Sequence, residues 1–235
     1  MPKKVLVVLT NHERYPDSDD KTGLWLGELV HFYDVLQEAG YEMDFVSPAG
    51  GEVPLDPLSL NRLFTDGMVR DYLEDESFMS RLQATLAPDQ VQPADYAAIY
   101  FTGGHGTMWD FPESKPLQEL SRRIYERGGA VSSVCHGAAA LLEVKLTDGS
   151  YLIEGKRLTG YSNLEELVAL RRNQVPFLLE TELKKRGADY RKGWLPLTSY
   201  ALVDGRLVTG QNPNSTKDVA RKLVELLDGL AVDSD

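Results

Sequence analysis

One cysteine, Cys135, stands in these 235 residues, so no internal disulfide can form. That scarcity fits a reducing compartment, and the cytoplasm is the expected location. Long apolar runs are also missing. The run over 5–9 stops at Thr10-Asn11-His12, too short for the core of a signal peptide, and nothing approaches the roughly 20 apolar residues of a membrane span. Basic blocks are absent from a chain of formal net charge −11. The richest clusters, Arg171-Arg172 and Lys184-Lys185-Arg186, read as solvated helix faces, so nucleic acid and anionic membranes are not expected partners. Only four histidines occur, none in an H-x-x-x-H pair, which argues against a dedicated metal site. No dinucleotide fingerprint or phosphate-binding loop is present, so no cofactor is expected. Repeats, low-complexity tracts and linkers are missing too, and disorder is expected only at 232–235.

What remains is the composition of an ordinary globular protein, 42% hydrophobic and 26% charged. Residues 5–9 form a continuous aliphatic run, the pattern of a strand buried on both faces. A helical period over 24–39 ends at Gly40, and 43–46 reads as a second strand with its exit turn at Ala49-Gly50-Gly51. A third core strand over 97–101 runs into Thr102-Gly103-Gly104-His105-Gly106. A helix over 116–127 and a fourth strand over 130–134 follow. This alternation predicts a single α/β domain over 1–235, a mostly parallel sheet sandwiched by helices. Residues 54–93 interrupt it as an inserted cap, with short helices near 69–73 and 78–86. Segments 151–159 and 200–209 read as hairpins turning at Glu154-Gly155 and Asp204-Gly205. A last helix covers 216–227.

The chemistry concentrates where the fourth strand ends, in Val134-Cys135-His136-Gly137-Ala138-Ala139-Ala140. Small residues after Cys135 suit a sharp strand-to-helix turn that presents one side chain. A helix N-terminus there favours thiolate over thiol, and the next backbone N–H faces a developing oxyanion. Cys135 is read as a nucleophile on this ground, or else as a small core residue. His136 is a general base or simply a first-turn residue. Glu28, the one formally charged side chain of 22–33, is either an exposed first-turn acid or a buried acid of raised pKa. Gly104 and His105 lie in a glycine-rich loop that can bring N–H groups to a substrate oxygen, a weak signal alone.

Taken together, six passages resemble the ThiJ/PfpI superfamily of the class I glutamine amidotransferase-like, flavodoxin-like fold. They are Thr22-Gly23 to Glu28, Val46-Ser47-Pro48-Ala49-Gly50-Gly51, the 103–106 loop, Val134-Cys135-His136-Gly137, Leu158-Thr159-Gly160-Tyr161-Ser162-Asn163 and Leu207-Val208-Thr209-Gly210-Gln211-Asn212-Pro213. The likeness is greatest to the branch of heat-shock-protein-31-like, glutathione-independent glyoxalases (glyoxalase III), which also carries a long insert before the third strand. The resemblance implies that Glu28 hydrogen-bonds the nucleophilic sulfur, that His136 follows it, and that a third acid lies in 164–167. Alignment from Gly160 favours Glu166 as the partner of His136 and leaves Glu165 exposed or at the pocket rim. The implied activity is conversion of methylglyoxal to lactate without glutathione or metal. Cys135 adds to the aldehyde, Gly104 and His136 N–H groups hold the oxyanion, and His136 moves a proton through an enediol. Other roles in the superfamily are a stress holdase or redox sensor, a deglycase, and a small-peptide or amide hydrolase. A homodimer stays open.

Overall fold

The computed structural model describes residues 2–16 and 18–232. β1 (Lys4–Val8), α1 (Leu26–Glu38) and β2 (Glu42–Val46) come first. Residues between β2 and the next core strand supply α2 (Gly67–Glu74) and α3 (Glu76–Arg81). β3 (Ala98–Phe101), α4 (Thr107–Glu113), α5 (Lys115–Glu126) and β4 (Ala130–Val134) follow. The C-terminal third holds β5 (Arg157–Leu158), α6 (Asn163–Val168), α7 (Leu179–Lys185), β6 (Asp189–Tyr190), β7 (Ala201–Asp204), β8 (Leu207–Gly210) and α8 (Thr216–Val232).

Six strands form one sheet in the order β2-β1-β3-β4-β8-β7, and only the edge strand β7 is antiparallel. The aliphatic runs become its buried centre because parallel strands need cover on both faces. β3 shows the two faces by alternation. Tyr100 stacks on Phe32 of α1, with centroids 3.5 Å apart, while Phe101 packs edge-on against Phe111 of α4. α8 packs beside α1, and α5 lies against β3 and β4. The strand order reverses direction between β1 and β3, so the carboxyl ends of β1, β3 and β4 open onto a common crevice. No described helix is long and apolar enough to cross a membrane.

Residues 54–93 spread over α1 and the open edge of β2. Helix α3 stops at Arg81, short of the expected 86. The Arg81 guanidinium lies over Phe45 and donates to the Met43 carbonyl at 2.6 Å. Leu86 then takes the free ladder positions of β2, donating to Phe45 O and accepting from Ser47 N. An unpaired strand edge outcompetes the local helical period.

Other expectations need correction. The 200–209 hairpin forms, as β7 and β8. The 151–159 segment does not: Arg157–Leu158 pairs in parallel with Asp189–Tyr190, and Gly155 N–H donates to Gly187 O. The helix after Cys135 is a 3-10 helix over Cys135–Leu141. Arg171 belongs to a loop after α6 rather than a helix face. Val232, expected to be disordered, ends α8 instead, and the rest of that stretch, 233–235, lies outside the described residues.

Candidate active site

Cys135 sits at the apex between β4 and the 3-10 helix with φ of 56°. For a non-glycine residue this left-handed backbone costs about 1–2 kcal/mol, and the packing around it must hold it there. The turn lifts the sulfur off the end of β4 toward the loops after β1 and β3. Gly103 makes that approach feasible. A Cβ on Gly103 would fall 2.5 Å from Glu28 Oε2 and 2.9 Å from the Cys135 Cβ. Gly104 has φ of 107°, and a Cβ there would meet Gly23 O at 2.1 Å.

Glu28 is wholly buried in the first turn of α1. Tyr100 fastens that turn to β3 by donating to the Glu28 carbonyl at 3.0 Å. One carboxyl oxygen, Oε2, accepts the Gly103 N–H at 2.6 Å. The other, Oε1, is buried without a hydrogen-bond partner among the described residues, and the Cys135 side chain lies beside the carboxyl group. Burial pushes this carboxyl up to about 8, against the hydrogen bonds from Cys135 and Gly103. At neutral pH it is a carboxylic acid with a proton to donate beside Cys135.

The sequence predicts a thiol well below its free value, and the structure opposes that. Burial pushes the Cys135 thiol well up, an ionised Glu28 would push it further, and the His136 N–H works the other way. Magnitudes decide the matter. A helix N-terminus contributes about 0.3–1 kcal/mol, less than one pH unit, whereas full burial shifts a group by up to about 3–5 units. A protonated Glu28 removes its own repulsion and donates instead, so the thiolate depends on the proton that Glu28 keeps.

From sulfur, a chain of contacts runs outward. Cys135 Sγ lies 3.4 Å from His136 Nδ1, and His136 Nε2 lies 2.8 Å from Glu166 Oε2. The His136 ring is held between Tyr161 and His105, each with its centroid 4.2 Å away. His105 Nε2 meets the other oxygen of Glu166, Oε1, at 2.9 Å. Burial pushes the Glu166 acid up, but His136 and His105 outweigh it and hold the carboxylate well below its usual range. Burial and the neighbouring His136 lower His105.

Glu166 thus stands where the family alignment put it, and Glu165 does not. Glu165 is fully buried rather than at the rim. Its carboxylate caps α6 through Ser162 N and Oγ, and also accepts from Leu197 N and Asn212 Nδ2. Sequence reasoning left His105 as a loop residue near a substrate oxygen and missed its bond to Glu166. It also missed Tyr161 as the wall of His136 and Gly103 as the donor to Glu28. His105, His136 and Glu166 bring donor atoms within 4.8 Å of one another, which no local motif could show. Each oxygen of Glu166 lies at hydrogen-bond distance from one imidazole Nε2.

Residues 23–226 match the DJ-1/PfpI family. The chain belongs to that family. It is 36% identical to the glutathione-independent glyoxalase HSP31 of Saccharomyces cerevisiae, across 96% of this chain and 98% of that protein. It is 30% identical to glyoxalase 3 of Candida albicans, across 94% and 97%. Among solved structures, glyoxalase III from Candida albicans superposes with a TM-score of 0.88 at 30% identity, over 95% of this chain and 96% of that one. The Rapid Encystment Protein of 24 kDa from Francisella tularensis gives a TM-score of 0.91 at 37% identity, over 97% and 99%.

Proposed function

We propose that this chain is a glutathione-independent glyoxalase that converts methylglyoxal and similar 2-oxoaldehydes to 2-hydroxyacids, with Cys135 as nucleophile. The observation that carries the reading is the continuous relay Cys135–His136–Glu166 beside a protonated Glu28. It is supported by full-length relatives that are named glutathione-independent glyoxalases.

His136, with Nε2–H given to ionised Glu166, presents a free Nδ1 to the thiol and takes its proton as sulfur adds to the aldehyde carbon C1. Glu28 keeps its proton on the side of sulfur and steadies the thiolate. The oxygen of the new hemithioacetal falls to the N–H groups after the elbow and in the 103–104 loop, where Gly104 and His136 serve as donors. A hydrogen moves from C1 to C2 through an enediol, leaving a thioester. Water cleaves it to the hydroxyacid, and His136 returns the proton to sulfur. Every bond so formed or broken uses substrate, water and these side chains, with no glutathione. The catalytic side chains are almost wholly buried, which suits a three-carbon aldehyde better than a peptide.

Product analysis tests the reading. Native protein mixed with methylglyoxal in the absence of glutathione is expected to yield lactate, and Cys135→Ala to yield none. Lactate formed equally by Cys135→Ala, or no lactate from the native protein, would remove this assignment.

A further inference from the structure

Glu166 serves two imidazoles, one on each oxygen, and only one of them faces sulfur. The carboxylate is ionised, so each histidine donates its Nε2–H to it and keeps a lone pair on Nδ1. For His136 that lone pair points at Cys135 Sγ. For His105 the Nδ1 has no partner among the described residues, and it is not one of the fully buried unpartnered polar atoms. The His105 side chain is 12% exposed, against 2% for His136. Its ring lies 4.2 Å from the His136 ring, whose Nδ1 is in turn 3.4 Å from the Cys135 sulfur.

The chemistry calls for such a group. Once His136 holds the thiol proton it is an imidazolium, and it has no lone pair with which to take hydrogen from C1. We infer that His105 is a second catalytic base, whose Nδ1 carries the hydrogen from C1 to C2 of the sulfur-bound substrate. This rests on the proposed glyoxalase activity and assigns a step that it leaves open. The C1–H bond breaks, and its proton goes to His105 Nδ1. The electron pair forms the C1=C2 bond of the enediolate as the C2 carbonyl oxygen takes up charge. The same proton then returns at C2 while C1–O becomes the thioester carbonyl, and the C2 oxygen takes its proton from the water whose hydroxyl cleaves the thioester. Nothing is oxidised or reduced from outside, and Glu166 remains ionised between two cationic or neutral rings throughout.

The two histidines divide the reaction into separable halves, and His105→Gln separates them. Glutamine places an amide N–H where His105 Nε2 stands, so the bond to Glu166 is kept while the second nitrogen is lost. Three readouts are needed: the rate of iodoacetamide alkylation, the mass of the adduct formed on mixing with methylglyoxal, and lactate turnover. His105→Gln is expected to alkylate and form the adduct as the parent does, while turnover falls by about 100-fold or more, as for loss of a positioned base. His136→Gln is expected to lose alkylation and turnover together. Parent-like turnover in His105→Gln overturns the inference. So does a fall of alkylation in step with turnover, which would make His105 only a positioning residue for Glu166 and His136. A parent that forms no lactate would instead sink the glyoxalase reading, a result read in the same assay.

Discussion

Glu28 is the residue whose protonation state sets the rest. Its folded pKa of about 8 lies above the ordinary carboxyl value of 4.5 because burial penalises the anion. Between these values the folded chain holds a proton that the unfolded chain has released, so stability contributed at this site falls as pH rises from about 4.5 to 8. Thermal unfolding at pH 5 and pH 8 is expected to show it. The parent should lose on the order of a few kcal/mol more than Glu28→Gln across that window. Turnover should follow the same group, with a basic limb near 8 in the parent that disappears in Glu28→Gln. A parent limb retained in Glu28→Gln would place the titration elsewhere. The sequence offered this acid only as one of two alternatives. An isolated carboxyl in an apolar helix start says nothing of what lies over it, and Gly103 and Cys135 lie 75 and 107 positions away, just past the ends of β3 and β4.

At the scale of elements, the start of α6 distinguishes two adjacent acids that local sequence treats alike. Ser162 caps the helix, and Glu165, three positions on, returns a carboxylate to its N–H. Adjacent helical positions diverge by about 100°, which turns Glu166 toward the imidazoles. Glu165→Gln is expected to cost about 1–3 kcal/mol of stability, because it unbalances a buried cluster of hydrogen bonds to charge. Melting temperature should fall by about 2–4 °C for each kcal/mol in a chain of this length. Glu166→Gln should do the reverse, with a modest change in melting and a loss of turnover of about 100-fold. The core strands and α5 were legible because their period and buried runs are local properties. β5 was not, because two residues gain a partner only from a chain segment some 30 positions later. The 3-10 character of the elbow helix was equally hidden, since small residues permit either winding.

At the scale of the whole molecule, loops distant in the chain meet beside the site. Tyr15, after β1, sets its ring 5.9 Å from His105. Arg171, after α6, lies 4.8 Å over Tyr15 and binds Asp20 at 2.9 Å. Arg171 read as part of a solvated basic cluster because Asp20 and Tyr15 lie 151 and 156 positions away in the chain. An exposed ion pair of this kind is worth about 0–1 kcal/mol, so the clasp opens at little cost. Arg171→Ala is expected to speed iodoacetamide reaction with the folded protein by a few fold, about the Boltzmann factor of that energy. Methylglyoxal turnover at saturation should stay unchanged. No change in labelling would mean that the way to sulfur lies elsewhere. Because the sequence holds a single cysteine and the fold places it at the elbow, any thiol-directed reagent counts one event per chain. A plain mass shift on the intact protein therefore reports the fraction of competent centres in a preparation, and rate constants can be normalised to that fraction rather than to total protein.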